Sequence, residues 1–197
     1  TLTVTGPTLW SGGTMDRTGT TTTAAGLILS GTNPKILAGS RTLVNSAAAV
    51  WTEGNLTIND TAVLNNSASG TFTDANAANV TITGSGTFAN AGTFAKTGPG
   101  PTTVTTTFNT SGGVTINQGT LQLTGGGTIT AGTIQGPGIF EIGGNTLTVN
   151  GGTFNMAGGL TALTGGDLVF NAGATVTNLG TLSIFNSHIL TLNSAAT

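Results

Sequence analysis

Residues 92–123 read GTFAKTGPGPTTVTTTFNTSGGVTINQGTLQL. Within them Val114 and Ile116, then Leu121 and Leu123, are apolar at a spacing of two, with Thr115, Gln118, Thr120 and Gln122 between or beside them. Successive side chains leave a strand on opposite faces, so alternation over a few residues marks a half-buried strand. Between the two pairs, Asn117-Gln118-Gly119 is a turn signal: glycine takes positive φ without steric cost and asparagine tolerates it. The stretch therefore predicts a short strand, a tight turn and a second short strand.

Outward from this stretch the same statement repeats with imperfect spacing. From Leu56 onward apolar centres fall at Val63, Phe72, Val80 and Ile82, Phe88 and Phe94, and continue through Leu147 and Val149 to Leu190 and Leu192. Gly, Asn, Asp or Ser occupies most gaps, and a Gly-Thr-apolar unit recurs at Gly70, Gly86, Gly92, Gly119, Gly127, Gly132, Gly152 and Gly180. Two all-β architectures compete. A β-sandwich wants strands about every 8 to 12 residues and aromatic bulk in its core. A parallel β-solenoid wants shorter steps, small residues at tight corners and a slim aliphatic core. The short steps and Gly/Asn corners favour the solenoid. Three strands make a coil of about 18 to 25 residues, giving roughly eight to ten coils. The predicted core holds Leu121, Leu123, Leu147, Val149, Leu182 and Ile184, with Thr120, Gln122, Thr148 and Ser183 facing out. Asparagine on the outside is expected to form ladders along the stack.

The first part, residues 1–55, is less regular. Residues 1–5 alternate as a strand, residues 11–23 read as a polar loop carrying Asp16 and Arg17, and residues 45–49 are the best helix candidate. No sharp change of composition divides the chain, so 1–197 is expected to be one solenoid domain. With Thr1 first and no leader-like segment, the chain reads as mature, processed or excised.

The run Phe94-Ala95-Lys96-Thr97-Gly98, a Thr-rich strand, and then residues 112–123 (GGVTINQGTLQL) resemble the autotransporter-associated β-strand repeat. The resemblance covers residues 92–123 and continues elsewhere as scattered Gly-Thr-apolar units. It implies a bacterial secreted protein, an adhesin or passenger-like segment that works outside the cell or at its surface. A Thr/Asn/Gly-rich, Lys-poor composition is typical of such proteins.

Composition narrows the function classes. The 197 residues include 33 Gly and no Cys, and only four Lys or Arg against six Asp or Glu. Arg17, Lys35, Arg41 and Lys96 are scattered, which argues against nucleic acid, whose phosphates need clustered cations. No apolar run approaches the ~18 residues of a membrane helix. Without Cys there are neither disulfides nor thiolate metal sites.

The ionisable groups give little chemistry. His188 beside Ser187 lacks the signature of a nucleophile elbow and reads as an exposed histidine. The acids Asp16, Glu53, Asp60, Asp74, Glu141 and Asp167 are isolated, although Asp60 and Asp74 are near enough in sequence to meet. Gly165-Gly166-Asp167 is a single near miss to a calcium-binding repeat and reads as a turn. Trp10 and Trp51 are expected to cover an end or side of the core rather than to stack on sugars. No catalytic, cofactor or metal residue is assigned.

Two functions of different class remain. The first is a non-enzymatic extracellular filament subunit or stalk. Its ends, 1–5 and 189–193, are strand-like and free of Lys, Glu and Pro, so they are expected to be adhesive: either the next coils of a longer solenoid cover them, or, the reading favoured, subunits pair head to tail through Leu2, Val4, Leu190 and Leu192. The second is a module that binds a regular surface, ice or polysaccharide, through Thr-x-Thr pairs. Thr81, Thr105 and Thr128, spaced by about one coil, are the candidates for a flat array.

Overall fold

The computed structural model describes residues 1–193, and these form an all-β parallel solenoid. Each coil gives one strand to each of three sheets. The first coil comprises Leu2–Val4, Thr8–Trp10 and Gly13–Met15; nine such coils follow one another and Leu190–Leu192 begins a tenth. Sheet I has ten strands, from Leu2–Val4 to Leu190–Leu192. Sheet II has nine, from Thr8–Trp10 to Ala174–Asn178, and sheet III nine, from Gly13–Met15 to Thr181–Ile184. Every pairing is parallel, and partners in register lie between 19 residues apart (Leu2 with Thr21) and 26 (Leu56 with Ile82).

Corners are where glycine decides the path. Gly70, Gly92, Gly112, Gly132 and Gly152 stack before the strands of sheet II, each against the carbonyl of the one before from Gly92 onward. A Cβ on Gly112 would run into the Gly92 carbonyl. That carbonyl approach is what lets Thr93 N donate to Gly70 O at 3.0 Å and Thr153 N to Gly132 O at 2.8 Å. The Gly-Thr unit of the sequence is thus a corner followed by the first outward residue of a strand.

The inward slots build one continuous core. Phe72 and Phe94, in register on sheet II, stack with centroids 5.9 Å apart and planes 7° from parallel. Phe88 of sheet I meets them edge-on at 5.2 and 5.8 Å, and Phe108 continues the cluster at 5.4 Å from Phe88. The core is therefore more aromatic than the slim aliphatic core expected, because one phenylalanine from each of two sheets fits across the lumen. Aromatic pairs in such offset and edge geometries add about 0.5–1.5 kcal/mol beyond burial.

A second inward column on sheet I is polar. Asn45, Asn66 and Asn90 are fully buried and in register. Asn45 Nδ2 donates to Asn66 Oδ1 at 2.8 Å, Asn66 Nδ2 to Asn90 Oδ1 at 2.7 Å, and Asn90 Nδ2 to Thr110 Oγ1 at 3.0 Å. Each amide also donates to a backbone carbonyl of the adjoining sheet II strand: Thr71 O, Thr93 O and Gly113 O. The ladder thus stitches the corner between sheets I and II. Asparagine was expected outside, and there the ladder is shorter, running from Asn150 through Asn171 to Asn193.

Three expectations are corrected. Residues 11–23 are not a loop: Gly13–Met15 and Thr18–Thr23 are strands, with Thr21 and Thr23 buried. A run of threonine hides its alternation, because the same β-branched residue fills inward and outward slots. Residues 45–49 are not helical. Ser40–Asn45 ends there and Ala48–Trp51 begins, since parallel neighbours supply the hydrogen bonds that a single helical turn lacks. Leu121, Leu123, Leu147 and Val149 are buried, but Leu182 and Ile184 are 40% and 44% exposed. Their register is inward, over Thr161 and Leu163, yet they lie on the last strand of sheet III. The slots expected outside, Thr120, Gln122, Thr148 and Ser183, are half-exposed.

Leu123→Asp places an unpaired carboxylate in this core and is expected to cost several kcal/mol, whereas Gln122→Asp, one residue away on the half-exposed outer face, costs less, about 1–2 kcal/mol, from the lost bond to Glu141 and solvent-screened repulsion by that carboxylate. Melting temperatures of the two variants check the register; equal values would contradict it.

Candidate interaction surfaces

The acids suspected of chemistry hold backbone instead. Asp60 Oδ2 accepts from Gly39 N at 2.8 Å, Glu53 Oε2 from Gly31 N at 3.1 Å and Asp167 Oδ1 from Ile189 N at 2.9 Å. Each bond joins neighbouring coils. Asp16 Oδ1 accepts from Arg17 N at 2.6 Å, and Arg17 takes a left-handed φ of 72° there. Asp60 and Asp74 do not meet: Asp60 sits at an exposed turn, Asp74 is buried in sheet II. His188 Nδ1 lies 3.6 Å from Asp167 Oδ1, both partly exposed near the last coil. Gly165 and Gly166 form a bend, as expected. Among the described residues no three His, Cys, Asp or Glu side chains converge on a common point.

The tryptophans are core residues. Trp10 is 6% exposed, and Trp51 is fully buried with Nε1 donating to Gly54 O at 2.8 Å and Glu53 O at 3.1 Å. Neither offers a ring face to a sugar.

Thr81, Thr105 and Thr128 do not stack. Thr81 pairs with Thr103 on sheet III, Thr105 lies at a corner, and Thr128 pairs with Asn109 and Thr148 on sheet I. The structure aligns other threonines. On the outer face of sheet II, Thr71 lies beside Thr93, and Thr133, Thr153 and Thr175 are consecutive partners, with Gly113 between the two groups. Toward its N-terminal end the same face exposes Leu9, Ile28 and Val50 in register. Its outward strand positions from Leu9 to Thr177 carry no charge. Sheet III differs: there Thr103, Gln122 and Glu141 form a hydrogen-bonded outer ladder, which Thr164, in the bend after the next strand, extends by donating to Glu141.

The two ends form the other surface. Leu2 and Val4 lie in inward slots, over Thr21 and Thr23, on the first strand of sheet I. Leu190 and Leu192 lie in inward slots, over Leu168 and Phe170, on the last strand of the same sheet. The four residues singled out from the sequence therefore occupy opposite edges of one sheet, in equivalent columns. Leu2 is 55% and Leu192 45% exposed, while Val4 and Leu190 are half-exposed. At the C-terminal end Leu182, Ile184, Phe185 and Ile189 add further exposed apolar surface.

Sequence reasoning missed the buried polar groups: the asparagine ladder, Lys35, and the pair Asp74 and Lys96. The signal was present as slot parity. Thr71–Asp74 (TFTD), Thr93–Lys96 (TFAK) and Thr87–Asn90 (TFAN) share a pattern in which the second and fourth residues point inward.

No family model, no curated protein and no solved structure matches the chain.

The exposure of the last coil gives a mutational contrast. Leu163→Asp, at a fully buried site, should cost several kcal/mol in the unassembled chain. Ile184→Asp, one coil further on in the same column, should cost about 1 kcal/mol or less. Denaturant midpoints of the two variants at low protein concentration make the comparison.

Proposed function

We propose that the chain is a non-enzymatic structural segment of an extracellular or cell-surface rod, extended by strand pairing at its ends. The observation that carries this reading is the set of leucine and isoleucine side chains in inward slots of the terminal coils. Solenoid ends that face water are ordinarily polar or capped. Here the last strands present apolar side chains in the slots that are buried in the coils beneath them. A second copy placed in continuation sets its Leu2–Val4 strand on Leu190–Leu192. The joint is parallel and heterologous, and because it continues the stack along the rod axis it does not close, so its product is a filament. The resemblance of residues 92–123 to the autotransporter-associated β-strand repeat supports a bacterial surface setting, as a stalk or adhesin segment. Sedimentation velocity over a range of concentrations, with negative-stain microscopy, tests the assembly. Rods of several lengths are expected, and the double variant Ile184→Lys, Leu192→Lys should stay monomeric with an unchanged β spectrum. A monodisperse wild-type monomer at high concentration overturns the proposal.

One observation favours a second reading, a module for a regular surface such as ice or polysaccharide: the outer face of sheet II, whose outward strand positions carry no charge and whose threonines align in register. Thermal hysteresis and sedimentation with insoluble polysaccharides test it. Activity in either assay that Thr133→Lys and Thr153→Lys abolish supports this reading, and inactivity of the wild type in both removes it.

A further inference from the structure

Asp74 and Lys96 stand in the same inward slot of sheet II on consecutive coils, and both side chains are 0% exposed. Phe72 and Phe94 precede them in the adjacent inward slots. Lys96 Nζ lies 3.9 Å from Asp74 Oδ1, too far for a hydrogen bond, and donates to Gly98 O. Lys35 shows how this fold keeps a buried ammonium. Its Nζ donates to three carbonyls, Gly31 O at 2.7 Å, Glu53 O at 2.9 Å and Asn33 O at 3.2 Å, one for each proton. Lys96 has one such acceptor. Burial pushes the pKa of both lysines down, against the pull of Glu53 at Lys35 and of Asp74 at Lys96, and what sets Lys96 apart is its single acceptor and the carboxylate beside it.

The carboxyl group is held differently on its two oxygens. Oδ1 accepts from Asn76 Nδ2 at 2.8 Å and from Asn76 N at 3.2 Å. Oδ2 accepts from the Thr102 hydroxyl. Two N–H donors on one oxygen are what a developing oxyanion needs, and they are fixed in place before any reaction. Asn76 is itself 1% exposed, and its Oδ1 is buried with no hydrogen-bond partner.

We propose that Lys96 and Asp74 condense into an isopeptide bond that locks the fourth coil to the fifth. One ammonium proton of Lys96 passes to Asp74 Oδ2, giving a neutral amine and a carboxylic acid, the favoured pair in an apolar site. The amine lone pair attacks Asp74 Cγ, forming the C–N bond. Negative charge collects on Oδ1 between the two Asn76 N–H groups. The C–Oδ2 bond then breaks, and the hydroxyl leaves with a proton from the nitrogen as one water. The product is a secondary amide with one N–H. Nothing is oxidised or reduced, and no co-reactant enters. Asn76 positions the acyl group and Thr102 holds the departing oxygen. The product also removes two buried charges. This link is independent of end-to-end assembly, since both residues lie in the interior of a single chain.

Intact-mass spectrometry of the purified chain, with sequencing of its proteolytic peptides, tests the proposal. The expected result is a mass lower than that of the sequence by one water, and a branched peptide joining the segments that contain Asp74 and Lys96. Lys96→Met should restore the unreduced mass while keeping the β spectrum, and Asn76→Ala should slow the loss of water after refolding. A wild-type mass equal to that of the sequence overturns the proposal. So does water loss that survives Lys96→Met, which marks a succinimide at Asp74. Loss of ammonia in place of water assigns the acyl donor to Asn76 and overturns the role of Asp74.

Discussion

In a parallel solenoid each residue must tolerate the residue one coil above and one coil below, at about 4.8 Å. This constraint governs what the core can contain. Apolar residues satisfy it trivially, and phenylalanine does so by stacking, as Phe72 and Phe94 show. Among polar residues asparagine is the best fit, because its amide is both donor and acceptor and can pair with its own kind. That is the physical reason Asn45, Asn66 and Asn90 form a column. Lysine over lysine is forbidden: two like charges at ~4.8 Å repel by about 3.5 kcal/mol at an effective dielectric near 20. Accordingly Lys96 lies over Asp74, and Lys35 lies over Leu56 with its ammonium among carbonyls.

The same constraint divides labour along the rod. The first coils hold Trp10, Leu29 and Trp51 in one sheet II column, and the column then passes through Asp74 and Lys96 to Ile116. Phenylalanines crowd the middle coils, and Leu147, Leu168 and Phe170 lead into the last ones. Corners follow the rule too. Since a Cβ on Gly112 would strike the Gly92 carbonyl, the corner residues must be small for several coils together. Outside, the rule relaxes to hydrogen bonding: threonine columns on sheet II, mixed Thr, Gln and Glu on sheet III.

The architecture was legible because period-two alternation survives wherever inward and outward residues differ chemically. Val114, Ile116, Leu121 and Leu123 announced their strands on that ground. Thr18–Thr23 did not, since inward Thr21 and Thr23 look like their outward neighbours. The polar interior was illegible for a related reason. A hydrophobic pattern treats Asn, Lys and Asp as outward by default, and only the slot they share with isoleucine and tryptophan reveals them. Leu182 and Ile184 were read correctly for direction but not for burial, because direction is set within a strand and burial by the next coil. The stacking of Thr71 with Thr93, rather than Thr81 with Thr105, depended on coil lengths that vary from 19 to 26 residues. No fixed period in the sequence could supply them.

The coil-by-coil register has a kinetic consequence. Every strand pairing joins residues separated by about one coil, however many coils the rod has. The average loop that must close during folding is therefore constant, and relative contact order falls as coils are added. Folding then resembles nucleation followed by growth, with each finished coil serving as template for the next. The phenylalanine cluster of Phe72, Phe88, Phe94 and Phe108 is the densest place for that nucleus to form.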